Sequence, residues 1–341
     1  MNSRRRLLIA VLACAALRVA PAPAQPADTP ATRFDVQRPQ IEQFVDAVAG
    51  HGWSRKELVA LLRQAQPQPK IIEIMTRPLE HVAPWWEYHD RFVTPERVAQ
   101  GAQFWLDHRL ALERIAAEYQ VPPEYLVAII GVETIYGRDT GQYRVLDALA
   151  TLAFDYPPRA GYFRGELEQF LLLTRENKLD PLTTKGSYAG AMGVPQFMPS
   201  AYRRWAVDAD TDKTRNLWTD WDDILASVGN YLREHGWEPG APVLAETTLD
   251  PDPGFQIAPH NLELDATIGS LGERGVRVDL PLPPETPAVL LSAEQRDGPA
   301  YRVGFHNFYV ITRYNTSARY AMAVYDLAQA VAARVHGAAP P

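Results

Sequence analysis

The sequence predicts a mainly α-helical protein with a small β-rich segment in its last third. Helical spacing of apolar residues from about Val36 onward, repeated helix-start signals, and a change of composition at Pro239 carry that expectation. Ser54-Arg-Lys-Glu57 before Leu58 is a capping box, in which hydroxyl and carboxylate satisfy free N–H groups at a helix start, with Pro67 stopping the helix. Thr94-Pro-Glu-Arg97 puts proline at the first helical position, and an amphipathic stretch follows to Tyr119. Pro122-Pro-Glu124 opens the next helix in the same fashion. Helical patterning continues from Val145 to Leu173 with a break at Tyr156-Pro-Pro158, and returns over Ile224 to Arg233, where Gly236 suits a left-handed cap. From Pro239 to about Gly304 prolines are frequent, and runs such as Gly275 to Leu280 and Ala288 to Leu291 read as strands. Tyr320 to Val335 is again helical.

A chain of 341 residues can bury a sizeable core and hold about two or three domains. Its formal charge of -7, with no basic stripe interleaved with aromatics, argues against nucleic-acid binding. The amino terminus has three arginines, an apolar run from Leu7 to Leu17, and an Ala22-Pro-Ala24 site, the layout of an export signal cleaved after Ala24. Cys14 after Val-Leu-Ala also resembles a bacterial lipobox, and Ser3-Arg-Arg-Arg-Leu-Leu weakly resembles a twin-arginine signal. An ordinary signal peptide is the favoured reading. Its removal leaves no cysteine, so disulfides, thiol catalysis and thiolate metal sites are excluded. Residues 25 to 33 read as a flexible leader.

One carboxylate, Glu133, interrupts the apolar run from Tyr125 to Val132. With Leu126, Ile129 and Ile130 it falls at i, i+3, i+4 and i+7, on the core-facing stripe. Desolvation disfavours the charged form, so such an acid can keep its proton near neutral pH and act as a general acid. From position alone a structural ion pair with Arg138 or Arg144 is the commoner outcome. The Gly-rich segment Lys185 to Gly193, leading into Val-Pro-Gln-Phe-Met-Pro199, is a loop that lets backbone approach a ligand closely. Asp208, Asp210 and Asp212 occupy positions one, three and five of an EF-hand-like loop. Lys213 stands where glycine is wanted and Thr219 where a bidentate acid is wanted, with Asp220 a substitute after a one-residue shift. Cation binding and a solvated acidic turn remain equal readings. The histidines show no zinc spacing, and no phosphate loop, dinucleotide fingerprint or serine-nucleophile elbow is present.

Three long motifs in register, Gly131-Val-Glu-Thr-Ile-Tyr-Gly137, Gly186 to Pro199 and Asn307 to Asn315, resemble the lytic murein transglycosylase B family. Leu146 to Leu152 and Asn216-Leu-Trp218 extend the resemblance, which runs from about Phe34 to Val335. It implies a mainly α (α+β) architecture: a lysozyme-like catalytic core over 118 to 237, a helical domain over 34 to 117 completed by a helix over 318 to 335, and a β-rich insert over 238 to 317. It also implies a periplasmic enzyme that cleaves the bond between N-acetylmuramic acid and N-acetylglucosamine in peptidoglycan and leaves a 1,6-anhydro sugar. In the family one glutamate, here Glu133, is acid and then base. The absence of an evident second carboxylate agrees, since an ordinary glycosidase needs one to activate water or to form a covalent intermediate. Asp139, Asp147 and Asp155 lie nearby in sequence and have capping or surface readings.

By the same resemblance Ser187, Gln196, Phe197, Tyr88, Tyr162, Tyr231, Tyr314, Asn315, Tyr320 and Arg159 fall on cleft residues that position or bind the sugar and its peptide stem. Pro158 replaces the second member of a family arginine pair. The family holds a cation at the place of Asp208, Asp210 and Asp212, so a structural calcium is one of the two readings of that loop, with no cofactor required for the reaction. Peptidoglycan strands are the expected partner of a monomer, with cell-wall synthesis or outer-membrane proteins as further candidates. A muramidase that uses water, and a wall-binding scaffold without activity, are the rival readings.

Overall fold

Proline and small polar caps cut the first half of the chain into short helices. A computed structural model describes residues 33 to 76, 83 to 249 and 262 to 337, so the export signal, Cys14 and nearly all of the expected leader lie outside the described residues. The helices are α1 (Pro39–Val48), α2 (Arg55–Leu62), α3 (Pro69–Thr76), α4 (Trp85–Phe92), α5 (Pro95–Asp107), α6 (Arg109–Tyr119) and α7 (Pro123–Thr134). Then follow α8 (Val145–Asp155), α9 (Ala160–Glu176), α10 (Pro199–Trp205) and α11 (Trp221–Glu234). A short α12 (Ile268–Glu273) lies within the β-rich segment, and α13 (His306–Tyr314) and α14 (Ala318–Val335) end the described chain. The capping box at Ser54 and Glu57 forms as the sequence predicts. The single helix expected from Pro95 to Tyr119 does not. His108 leaves the helical region at φ -112°, ψ 21°, and its ring packs on Phe104 and Trp221 at 4.5 and 4.8 Å.

Helix α7 is the centre of the packing. Leu126, Val127, Ala128, Ile129 and Ile130 are all fully buried, and α5, α6, α11 and α14 surround it. A helix apolar all round belongs in the middle of a protein. The spacing argument for an inward stripe therefore could not single out one face, since every face is covered. One continuous core runs from Phe34 to Val331, uniting the early helices, α7 and α14.

Five antiparallel strands form the sheet of the last third: β3 (Leu244–Leu249), β4 (Ala266–Thr267), β5 (Val276–Val278), β6 (Pro287–Ser292) and β7 (Tyr301–Gly304), numbered after a two-stranded pair, β1 (Tyr143–Arg144) and β2 (Lys185–Gly186). The spatial order is β4, β6, β7, β3, β5. Strand β6 is apolar along its length because both faces are covered. Its Val289 and Leu291 join the main core, while Ala288 and Leu290 face a small second core with Leu271, Val276, Val303 and Phe305. A clasp ties the sheet to the helices: Arg302 of β7, 8 % exposed, donates from Nη1 to both oxygens of Asp326 on α14 at 3.0 Å and lies over the Trp85 ring of α4 at 5.4 Å.

The end of α7 is held by a wedge. Tyr136 turns back over Gly131 and Gly101 and donates its hydroxyl to the Arg97 carbonyl at 3.0 Å. A Cβ on Gly131 would lie 2.6 Å from the Tyr136 oxygen, closer than packing allows. We expect Gly131→Ala to cost about 1–3 kcal/mol through overpacking, read by chemical denaturation, whereas Gly165→Ala on α9, with open space at its Cβ, should not destabilise.

Candidate active site

Glu133 is the penultimate residue of α7, and the chain reverses immediately after it through three left-handed residues, Ile135, Tyr136 and Gly137, at φ 53°, 58° and 82°. Thr134 locks this turn: its Oγ1 accepts from the Gly137 N–H at 3.1 Å and donates to the Val194 carbonyl of the Gly-rich loop at 2.9 Å. Glutamate and loop are thus held in one register. Glu133 is partly buried, and its Oε1 accepts a hydrogen bond from Tyr320 Oη of α14 at 2.6 Å. Burial pushes its pKa up to about 7, with the Tyr320 donor opposing.

Among the described residues Glu133 has no ion pair. Arg144, one expected partner, instead donates to Asp147 and to the Gln64 carbonyl, both at 2.6 Å. The other acids near it in sequence are also committed elsewhere. Asp139 accepts from the Gly141 N–H, Asp147 also accepts from the Gln66 N–H, and Asp155 pairs with Arg38 at 2.7 Å. The ion-pair reading of Glu133 therefore fails.

Tyrosines surround the carboxyl. Burial, followed by the nearby Glu133 charge, drives the hydroxyls of Tyr314 and Tyr320 well above the ordinary tyrosine pKa. Tyr88 is raised as well, by burial and to a smaller degree by Glu133, against the opposing Arg319 charge. The Tyr314 and Tyr320 rings stack at 6.4 Å and 11°, and Tyr314 donates to the Pro195 carbonyl at 2.6 Å, a second tie to the loop. Tyr231 packs on Tyr314 at 4.8 Å and donates to the Arg313 carbonyl at 2.5 Å. Tyr320 and Tyr231 are buried, at 2 % and 7 % exposure, so each presents little ring face to a ligand.

Phe197 corrects the sequence reading. It is 2 % exposed, wedged against Tyr231 and Tyr314 at 5.5 and 5.8 Å, and so supports the groove's tyrosines without forming its surface. Ser187 Oγ accepts from the Ala189 and Ala191 N–H groups at 3.3 and 3.0 Å, which leaves its hydroxyl hydrogen available. Gln196, at φ 53°, donates from Nε2 to the Gly193 and Thr140 carbonyls at 2.9 and 3.2 Å, leaving Oε1 as an acceptor. Asn315 is exposed immediately after Tyr314. Arg159 and Tyr162 form a separate exposed pair at the start of α9, with the guanidinium 4.6 Å from the ring centre, and no hydrogen bond or ring contact links them to Glu133. Sequence reasoning missed Thr134, Tyr136 and Arg319. The first two were visible inside the motif around Glu133, whereas Arg319, over the Tyr88 ring at 5.5 Å, gave no signal.

Carboxylate oxygens of Asp208, Asp210 and Asp212 converge to within 4.8 Å of one another. Asp208 Oδ1 is buried without a partner, and Lys213 adopts φ 74°, the left-handed turn for which glycine was expected. These features fit a hard cation. Thr219 instead accepts from Asn216 Nδ2, and Asp220 Oδ1 caps α11, so neither completes the set as a free bidentate acid.

The family model for the transglycosylase SLT domain matches residues 36–329. Membrane-bound lytic murein transglycosylase B of Escherichia coli K12 is 44% identical over 304 residues, 86% of this chain and 83% of that protein. Among solved structures, soluble lytic transglycosylase SltB1 of Pseudomonas aeruginosa is 44% identical with a TM-score of 0.83, covering 88% of this chain and 100% of its own. The E. coli lytic transglycosylase Slt35 in complex with calcium is 42% identical at TM-score 0.81, over 89% of this chain and 96% of its own. P. aeruginosa SltB3 with a NAG-anhNAM-pentapeptide is 33% identical at 0.74, over 85% and 79%. The fold and enzyme class implied by the sequence motifs are those of these relatives, and the chain belongs to the SLT-domain transglycosylase family as a lytic transglycosylase of peptidoglycan.

Proposed function

We propose that Glu133 alone carries both proton transfers of this lytic reaction. The observation that carries the reading is a carboxyl with a pKa near 7, held by Tyr320, without an ion pair and without a second free carboxylate beside it among the described residues. Protonated Glu133 gives its proton to the oxygen linking N-acetylmuramic acid to N-acetylglucosamine, and the bond from that oxygen to the muramyl C1 breaks. The resulting carboxylate then takes the proton of the muramyl C6 hydroxyl while O6 bonds to C1. The products are a 1,6-anhydromuramyl end and a free N-acetylglucosamine end, and no water is consumed. A pKa near neutrality suits an acid that must later serve as base. Tyr320 steadies the carboxylate between the two steps.

Ser187, through its free hydroxyl hydrogen, and Gln196, through Oε1, are the groups we assign to orienting the sugar at the Gly-rich loop. Tyr88, Tyr314 and Asn315 offer ring faces and polar edges to the glycan, with Tyr231 and Tyr320 bracing them from behind. Arg159 and Tyr162 we assign to a more distant part of the strand or its peptide. Asp208, Asp210 and Asp212 would hold a calcium ion that braces the turn before α11, as a structural element with no part in proton transfer. A site of action on peptidoglycan agrees with export by the amino-terminal signal, with lipidation at Cys14 the alternative route to the membrane.

Glu133→Gln is expected to abolish release of muropeptides from purified sacculi while leaving the melting temperature near that of the parent. Products of the parent should be one water lighter by mass than hydrolysed muropeptides; full activity of the variant, or hydrolysed products, would overturn the assignment. Because the acid must start protonated, activity should fall as pH rises through about 7. Tyr320 favours the ionised form, so Tyr320→Phe should move this limb to higher pH in addition to slowing the reaction; a limb shifted to lower pH contradicts the role. Calcium should raise the melting temperature of the parent and leave that of an Asp210→Asn variant unchanged, and no shift in the parent counts against the site.

A further inference from the structure

Beside the Gly-rich loop lies a cavity of about 390 Å³, within the ~300–1,000 Å³ range of small-ligand sites. The turn after α7, the stretch between α9 and β2, and the turn before α11 line it. Each of the three is tied to the loop that carries Ser187 and Gln196. The Thr140 carbonyl accepts from Gln196 Nε2 at 3.2 Å, and Gly141, at φ 91°, packs so close that a Cβ there would lie 2.1 Å from the Gly186 carbonyl oxygen and 2.5 Å from the Ser187 nitrogen. Lys185 runs into the loop through β2. The Trp218 backbone N–H donates to Asn216 Oδ1 at 3.0 Å, and the carbonyl of the preceding Leu217 accepts from the Val194 N–H at 2.7 Å. The cavity and the groups assigned to orient the sugar therefore share a wall, formed by Thr140 and Gly141.

The polar groups that line this cavity are not consumed by the fold. Among the described residues the Trp218 indole N–H, the Gln142 amide, the Thr140 hydroxyl and the Lys185 ammonium make no hydrogen bond or ion pair. Asp180, the acid of the same stretch, is engaged by the Leu182 N–H at 2.8 Å and by Thr183 Oγ1 at 3.1 Å. Thr184 Oγ1 donates to the Asp180 carbonyl at 2.7 Å, which leaves its oxygen as an acceptor. A half-buried indole and Leu179 supply apolar surface, and an amide, two hydroxyls and an ammonium supply donors and acceptors. That combination suits an amino sugar, whose C–H face packs on an aromatic ring while its hydroxyl and acetamido groups meet a polar rim. We propose that this cavity binds an N-acetylated sugar of the glycan strand outside the cleavage cleft, a second site that holds the strand while Glu133 acts on another part of it. The proposal rests on the assignment of Ser187 and Gln196 to the sugar, since their loop joins the two sites.

The test titrates the Glu133→Gln chain with the tetramer of N-acetylglucosamine and follows the indole N–H signals by NMR, that of Trp218 being identified by its loss in Trp218→Phe. The Trp218 signal should shift saturably, and the shift should disappear when Gln142→Ala and Lys185→Ala are added; both side chains are exposed and unbonded, so the fold is kept. A signal that stays still, or that moves as far with the two substitutions present, overturns the proposal. Cellotetraose, which lacks acetamido groups, should shift the signal less, and an equal shift overturns the ligand class. With Glu133 restored, Gln142→Ala with Lys185→Ala should raise KM on long glycan strands about tenfold, the loss of about two hydrogen bonds, and should raise it less on the shortest strand that is cleaved. Equal rises on both, or none on long strands, count against a second site. The two readings fail separately: full activity of Ser187→Ala ends the assignment of the loop to the sugar, and an unmoved Trp218 signal ends that of the cavity.

Discussion

A carboxyl at the end of a wholly buried helix must be desolvated enough to hold a proton and still open enough to reach a substrate. Burial raises the pKa of Glu133, and Tyr320 of α14, 2.6 Å from its Oε1, opposes that rise and holds the carboxyl in place. The apolar body of α7 removes water from one side of the acid, and the helix end supplies the opening on the other. An ion pair there would have drawn the pKa down and ended the acid's usefulness. Arg144, one of the two candidates in sequence, is occupied by Asp147, and among the described residues no cation pairs with the carboxyl.

Much of the remaining architecture holds this arrangement in register. Thr134 and Tyr314 both bind the Gly-rich loop, through the adjacent Val194 and Pro195 carbonyls. The small sheet acts from a distance. Its Arg302 fastens β7 to Asp326 on α14 and to Trp85 on α4, and those two helices carry Tyr320 and Tyr88. A sheet insertion that looks peripheral in the sequence thereby braces the two helices whose tyrosines stand near Glu133. The desolvated charges of Arg302 and Asp326 leave the pair little freedom to separate, because breaking such a pair strands a buried ion.

Electrostatics on this chain are local. The net charge is negative, yet Arg319 lies over the Tyr88 ring, while acidic residues converge in the Asp208 loop. The overall charge thus does not describe how charge is distributed over the chain.

Sequence alone determined the helical majority, several helix ends, the strands around Val276 and Val289, and the identity of Glu133 as the acid to watch. Those features depend on neighbours in the chain: capping hydroxyls, prolines at helix starts, apolar spacing, and three motifs in order. It misread the stretch from Pro95 to Tyr119, because the break at His108 follows from packing against Trp221, more than a hundred residues away. It did not anticipate β3, β7 or α13 as regular elements; β3 in particular pairs only with β5 and β7, far along the chain. It grouped Phe197 with the groove, and only the packing of Tyr231 and Tyr314 around that ring put it inside. Above all, tertiary structure decided the chemistry of Glu133. A residue's pKa is set by what surrounds it in space, and here the deciding neighbours are the apolar walls of four helices and the hydroxyl of a tyrosine 187 residues downstream.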